Sequence, residues 1–276
     1  MSRDSYGCRF KAMISDWRHR FSTDGRSNSS APFLFVQLAP YHGDRQYGFG
    51  GTPCMIEGGD AAGTDYIVTP GIPPPPTFGG GLPQQRLVQL EALELQSVGM
   101  ACTVDLGDAA SPYWPGSVHP RHKQPVAARL LLEARRIAYG EADLVSRGPQ
   151  LSHIEQLPTD APGGSYHSKA VEIIRVHWSS VGGGLTVVPG GGPSVAFVAT
   201  LNNSMTVPGT IMPTNLTRSS CDVYFNKGYN WPLANCTSCV PYVETVAFLP
   251  FDFPVAPLFS KEGLPAEPFV RNLTAG

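Results

Sequence analysis

Apolar positions recur at helical spacing over residues 8–20, where Phe10, Met13, Ile14 and Trp17 share one face. Arg18, His19 and Arg20 gather at the C-terminal end of that stretch, as the helix dipole favours. The small polar residues of 22–31 predict a loop. Phe33 to Leu38 is then an apolar run broken only by Gln37, the pattern of a parallel strand covered on both faces. Gln37 reads as a hydrogen-bonded core amide, with a place beside a pocket as the alternative. Residues 42–85 form an insertion rich in Gly and Pro, and Pro73 to Pro76 would be a stiff polyproline segment. So long a stretch without pattern is either disordered or a functional lid, and disorder is the favoured reading. Arg86 to Gln96 predicts an amphipathic helix with Leu87, Leu90 and Leu93 inward and Gln89, Glu91 and Glu94 outward. Gly99 releases the chain into a strand from Met100 to Leu106. After a loop, Pro120 suits the first turn of the next helix, which runs from Val126 to Tyr139. Its stripe is Val126, Leu130, Ala134 and Ile137, with Arg129, Glu133 and Arg136 on the other faces and Gly140 as its C′ residue. Helices and strands alternating in this way predict an α/β layer with a parallel sheet.

From about residue 145 the period changes. Val171–Trp178, Leu185–Val188, Ser194–Thr200 and Tyr242–Leu249 are short β-type runs, punctuated by Gly182–Gly184, Gly190–Gly192 and Pro208-Gly209. That spacing predicts an antiparallel, sandwich-like domain. The chain therefore divides into an α/β domain, 1–144, and a β-rich domain, 145–276.

Composition changes this picture in three ways. A formal net charge of −2 over 276 residues argues against nucleic acid or an acidic membrane surface as a partner. The 30 Gly and 27 Pro fit long irregular loops and short strands rather than helical bundles. Six cysteines are present, and Cys236-Thr-Ser-Cys239 is a lone CxxC that reads as a disulfide or two thiols rather than a zinc site. Asn28, Asn202, Asn215, Asn235 and Asn272 each head an Asn-x-Ser/Thr sequon, a pattern suited to a secretory-pathway protein. No signal-peptide pattern is read at Met1, and no apolar run is long enough to span a bilayer.

The candidate chemistry sits in Gly116-Ser117-Val118-His119-Pro120-Arg121-His122-Lys123-Gln124-Pro125-Val126, between the second strand and the helix. A histidine on such a loop can serve as a general base at the edge of a sheet. This stretch, with Asp105-Leu106-Gly107-Asp108 before it and Arg129-Leu130 after it, resembles the last conserved block of the sialate O-acetylesterases of the SGNH hydrolase superfamily. Tyr6 to Arg18, containing Ala12-Met13-Ile14-Ser15-Asp16-Trp17-Arg18, is similar to that family's Asp-Trp-Arg helix. Pro32 to Tyr41 resembles the strand that follows, and Glu262 to Phe269 the C-terminal signature.

The resemblance implies an incomplete SGNH-type three-layer α/β domain followed by the β-sandwich-like domain. It also implies an esterase that removes O-acetyl groups from sialic acids or related sugars. His119 would be the base, and Asp108 the acid that orients it. Asp105 is the other nearby carboxylate, because the superfamily's usual acid positions hold Gly116 and Ser117; a dyad with a backbone carbonyl also remains open. Arg121 would be an ion-pair partner or a clamp for a substrate carboxylate, and His122 a surface residue. The family's Gly-Gln-Ser-Asn and Gln-Gly-Glu-Ser-Asn blocks, which hold the nucleophile and oxyanion groups, are expected upstream of Met1. Ser27, in Gly25-Arg26-Ser27-Asn28, imitates the first block but lies in the wrong place. The chain as given is then expected to be inactive alone, with an exposed sheet edge. The alternative is a non-catalytic remnant that binds carbohydrate or protein. No cofactor or metal is implied, oligomeric state carries no signal, and the family resemblance implies a secreted or lysosomal location.

Overall fold

The computed structural model describes residues 3–25, 27–40, 82–108, 110–113, 118–158, 171–187, 196–202, 206–211, 213–226, 242–249 and 258–273. The insertion expected over 42–85 lies outside them as far as residue 81, as do Cys54 and the Cys236–Cys239 pair. The fold is mixed α/β and falls into two compact units that divide between Arg147 and Gly148.

The first unit contains α1 (Arg3–Ser22), β1 (Phe33–Val36), α2 (Leu82–Leu90), β2 (Val98–Ala101) and α3 (Gln124–Ala138). β1 and β2 pair in parallel, with Phe33 opposite Val98 and Val36 opposite Ala101. Phe10 and Trp17 of α1 set their rings against Phe33, and Phe10 also meets Phe35 edge-on. On the opposite side, Glu133 and Ile137 of α3 crowd Gly99 together with Leu34. The alternation of side chains along β1 thus splits the helices between the two faces of the pair, giving three layers. α1 is longer at both ends than its apolar stripe predicts. Its Arg18 does more than complement a dipole: Nε donates to the carbonyl of Ala31 at 2.9 Å and Nη2 to that of Gln96 at 2.8 Å. One guanidinium thereby ties together the chain entering β1 and the chain entering β2.

α2 departs from its expected polarity. It begins at Leu82 and tightens into a 3₁₀ turn over Glu91–Glu94. Gln89 is buried rather than outward, and Arg86 is fully buried. Arg86 Nε donates to the Leu38 carbonyl at 2.7 Å, while Gln89 Oε1 accepts from the Leu38 amide at 3.1 Å. The main chain leaving β1 is buried but has lost its neighbouring strand, so its polar groups need side-chain partners. Burial pushes the Arg86 guanidinium down to about 10. Gln37 is a core amide, its Nε2 donating to the Arg86 carbonyl, although its Oε1 accepts no hydrogen bond among the described residues.

β2 ends at Ala101, short of the expected Leu106. Thr103 turns its hydroxyl onto the Gln37 carbonyl, and Leu106 N–H closes a turn on the Thr103 carbonyl. In α3 it is Pro125, not Pro120, that occupies the first turn, while Pro120 is buried before the helix. Gly140, at φ +75°, follows the last turn as expected. Glu133 is fully buried instead of solvent-facing and pairs with Arg136 at 2.8 Å.

The second unit is built on one seven-stranded antiparallel sheet in the order β11-β9-β6-β7-β8-β4-β3. Its strands are β3 (Gln150–Leu157), β4 (Val171–Ser179), β6 (Phe197–Leu201), β7 (Thr206–Ile211), β8 (Ser220–Asn226), β9 (Val243–Phe248) and β11 (Phe269–Asn272). A separate pair, β5 (Leu185–Val187) with β10 (Leu258–Ser260), contributes Leu185 and Leu258 to the same core. The layers are therefore unequal rather than two matched sheets of a sandwich. Trp178 is the hub of the core, meeting Phe197, Phe248 and Phe269 edge-on. Its Nε1 donates to Cys221 Sγ, and burial pushes that thiol up to about 12. Pro208 and Gly209 do not form a turn but lie inside β7. The ladder from β7 to β8 begins only at Gly209, so the N–H that Pro208 lacks is not missed on that side.

Candidate functional site

The site lies in the first unit, on the segment between β2 and α3. In parallel α/β layers the loops leaving the C-terminal ends of strands carry the reactive groups, because the strands themselves are committed to the core. Here β2 stops at Ala101, and the chain passes Asp105 and Asp108 before reaching Ser111 and His119. His119 is exposed, whereas Pro120 beside it is buried. An open cleft of about 500 Å³ is lined by Tyr113, His119, Pro120, Arg121 and Lys123. Among the described residues, the His119 imidazole makes no hydrogen bond.

The main chain just after that ring is pinned at two points. Ser111 is buried, and its Oγ donates to the His119 carbonyl at 2.7 Å. Asp108 Oδ2 accepts from the Arg121 backbone N–H at 3.1 Å and from Arg121 Nε at 2.6 Å, and Oδ1 accepts from Nη2 at 3.0 Å. Oδ1 also accepts from the Ala110 N–H at 3.1 Å, and the Ser111 N–H returns to the Asp108 carbonyl. The Arg121 fork, followed by the backbone N–H groups of Arg121 and Ala110, holds the Asp108 carboxyl well below the usual carboxylate range.

This geometry alters the expected roles. Asp108 meets Arg121 and not the imidazole, so its link to His119 runs through the backbone of one neighbouring residue. Asp105, the other nearby carboxylate, pairs with Arg129 of α3: each of its oxygens lies 2.6 Å from that guanidinium, whose Nη1 also donates to the Cys102 carbonyl. Arg121 is an ion-pair partner, and its guanidinium is already engaged. His122 is exposed ahead of α3, and Ser27 is exposed in the loop after α1. Lys123 is the cation at the cleft for which no ion pair forms among the described residues. The sequence pattern gives no role to Ser111 or Arg86 and turns Gln89 outward. For the last two the signal was present: an Arg and a Gln three positions apart on one helix face.

Among the described residues no group of three or more His, Cys, Asp or Glu side chains could hold a metal ion. None of the described helices is long and apolar enough to cross a membrane.

No family model matches the chain. It is 36% identical over 163 residues to the sialate O-acetylesterase of Mus musculus, a match covering 58% of this chain and 25% of that protein. Over 156 residues it is 36% identical to the sialate O-acetylesterase of Homo sapiens, covering 56% of this chain and 25% of that protein. The match thus spans about a quarter of the length of these curated relatives. A crystal structure of a carbohydrate acetylesterase from Xanthomonas citri superposes with a TM-score of 0.60 at 23% identity, covering 98% of this chain and 46% of that one. At that identity the likeness is one of fold.

Proposed function

We propose that this chain, which is similar to sialate O-acetylesterases over more than half of its length, forms the base-bearing portion of an esterase of that family, one that removes O-acetyl groups from sialic acids or related sugars. The observation that carries this reading is the exposed His119 ring at the cleft beyond β2, on a main chain fixed at the His119 carbonyl and the Arg121 N–H. In the reaction a serine hydroxyl attacks the acetyl carbonyl while His119 Nε2 takes the hydroxyl proton. The same imidazolium then returns that proton to the departing sugar oxygen, and a water repeats the cycle on the acyl-enzyme. The serine is placed in a Gly-Gln-Ser-Asn segment outside these residues, since no serine hydroxyl of the described residues reaches the ring. The parallel β1–β2 pair with helices on both faces supports an SGNH-type arrangement for this unit.

Asp108 is a positioning residue here. It fixes the Arg121 N–H while Ser111 fixes the His119 carbonyl, so the imidazole is aimed by its main chain instead of by a carboxylate on the ring. The product travels with secreted or lysosomal enzymes of this family, and its substrate is an acetylated sugar, free or within a glycan.

The test is acetate release from p-nitrophenyl acetate and from an O-acetylated sugar. Residues 1–276 alone give no more than their His119→Ala variant. In a longer protein that carries the serine segment, His119→Ala lowers kcat by about 10³-fold or more, and Asp108→Asn lowers it by roughly tenfold without moving the pH profile. Full activity in His119→Ala would overturn the assignment of the base, and a shifted profile in Asp108→Asn would restore Asp108 to the ring. The second reading, a sugar- or protein-binding remnant, rests on no hydroxyl among the described residues being hydrogen-bonded to the ring. It predicts sugar binding to 1–276 with no turnover in any longer form.

A further inference from the structure

Five sequons occur in the chain, and the fold treats them differently. Asn28 lies in the loop between α1 and β1, exposed, in a sequon all of whose residues are described: Asn28, Ser29 and Ser30. Its Oδ1 accepts two hydrogen bonds from the sequon's own third residue, from the Ser30 N–H and from Ser30 Oγ, both at 2.9 Å. The amide carbonyl is thereby held against the turn while Nδ2 donates to nothing among the described residues. Asn215 is the opposite case. It is half-buried, and Nδ2 donates twice, to Asp222 Oδ2 at 3.1 Å and to the Tyr224 hydroxyl at 3.0 Å. Asp222 in turn holds Arg175 at 2.7 Å. Asn202 Oδ1 accepts from the Tyr242 N–H, and Asn272 is part of β11, where its Oδ1 accepts from Thr245 Oγ1. Asn235 lies outside the described residues.

We propose that Asn28 carries an N-linked oligosaccharide when the chain is made on the secretory route, and that Asn215 does not carry one in the folded protein. The donor is a polyisoprenyl-diphosphate-linked oligosaccharide. The bond from Asn28 Nδ2 to the sugar's anomeric carbon forms as the carbon–oxygen bond to the diphosphate breaks; the lipid diphosphate leaves, the amide loses one proton, and nothing is oxidised or reduced. Transfer acts on the emerging chain, so the fold decides which glycan can be kept rather than which asparagine is reached. A glycosylated amide retains a single N–H. At Asn28 the fold uses neither, and the glycan projects into solvent from a turn that needs only Oδ1. At Asn215 the fold uses both, so a glycan there removes a partner from Asp222 or Tyr224 and forces bulk into a half-buried cluster. This inference is independent of the reading of His119.

The experiment is a peptide map of residues 1–276 expressed behind a secretion signal in eukaryotic cells. The map is made on the whole membrane-enclosed pool as well as the secreted fraction, after enzymatic removal of glycans with conversion of the modified asparagine to aspartate. The expected result is conversion at Asn28 in most molecules and its complete loss in both Asn28→Gln and Ser30→Ala, with no conversion at Asn215 in the protease-resistant, folded fraction. Unconverted Asn28 in both fractions, or conversion at Asn215 in folded protein, would overturn the proposal.

Discussion

Four hydrogen bonds converge on the Asp108 carboxylate, and their dependence on charge makes them testable by pH. The folded carboxyl is held below its unfolded value of about 3.9, so its contribution is intact above that value and is lost as pH falls through the lower folded one. The difference in stability between the wild type and Asp108→Asn, from urea melts, should therefore be constant from neutral pH down to about 4 and shrink below it. Gly99 is a second sensitive position. A methyl there would stand 2.6 Å from Glu133 Oε2 and 2.7 Å from Ile137 Cδ1, so Gly99→Ala should cost about 1–3 kcal/mol in the same measurement. Thiol chemistry gives a third check. Exposed Cys8 should react with an aromatic disulfide reagent at neutral pH, while Cys102 and Cys221 should react only on unfolding, as read by peptide mass mapping. At this scale the exposed loop position of His119 was legible from its place between a strand and a helix. The pairing of Asp108 with Arg121 was not, because the path of a loop decides which carboxylate an arginine meets. Inward Gln89 and Glu133 were missed for a related reason. A stripe rule sends polar residues to solvent, yet the Leu38 amide takes Gln89 as its partner and Arg136 takes Glu133.

Among the elements, α1, β1 and α3 were readable because each carries a long or unbroken apolar pattern. Their ends were less so. β2 stops early since the Thr103 hydroxyl prefers the Gln37 carbonyl to a continued ladder, and no periodicity reports such a side-chain choice. β7 was hidden altogether, as Pro208-Gly209 is ordinary turn vocabulary. The sheet instead uses the missing Cβ: a side chain at 209 would sit 2.6 Å from Phe225 Cε1 and 2.9 Å from Phe197 Cβ. Gly209→Val should accordingly lower the stability of the second unit by roughly 1–3 kcal/mol, seen as an earlier loss of near-ultraviolet signal from Trp178 in denaturant. β3 and β8 were missed too, since Ser, His, Glu and Asp on their outer faces dilute the β-type run. There the register brings His153 onto His177 at 4.1 Å and Arg175 onto Asp222, pairings that sequence order cannot announce.

For the molecule as a whole, the second unit has a core of its own around Trp178, Phe197, Phe248 and Phe269. Residues 148–276 expressed alone should give an antiparallel-sheet circular dichroism spectrum and a single cooperative melt; a broad, gradual loss of signal would show that they depend on the rest of the chain. The first unit is differently wired. Its β1–β2 pair joins Phe33 to Val98 across everything the sequence inserts between them, whereas β6, β7 and β8 are successive neighbours. Closing a span of that length must be accomplished before any contact rewards it, so the β1–β2 pair is expected to form more slowly than the hairpin-built sheet. On the ribosome, Phe33 and its neighbours in β1 must wait for Val98 and the rest of β2 to be synthesised before that pair can close.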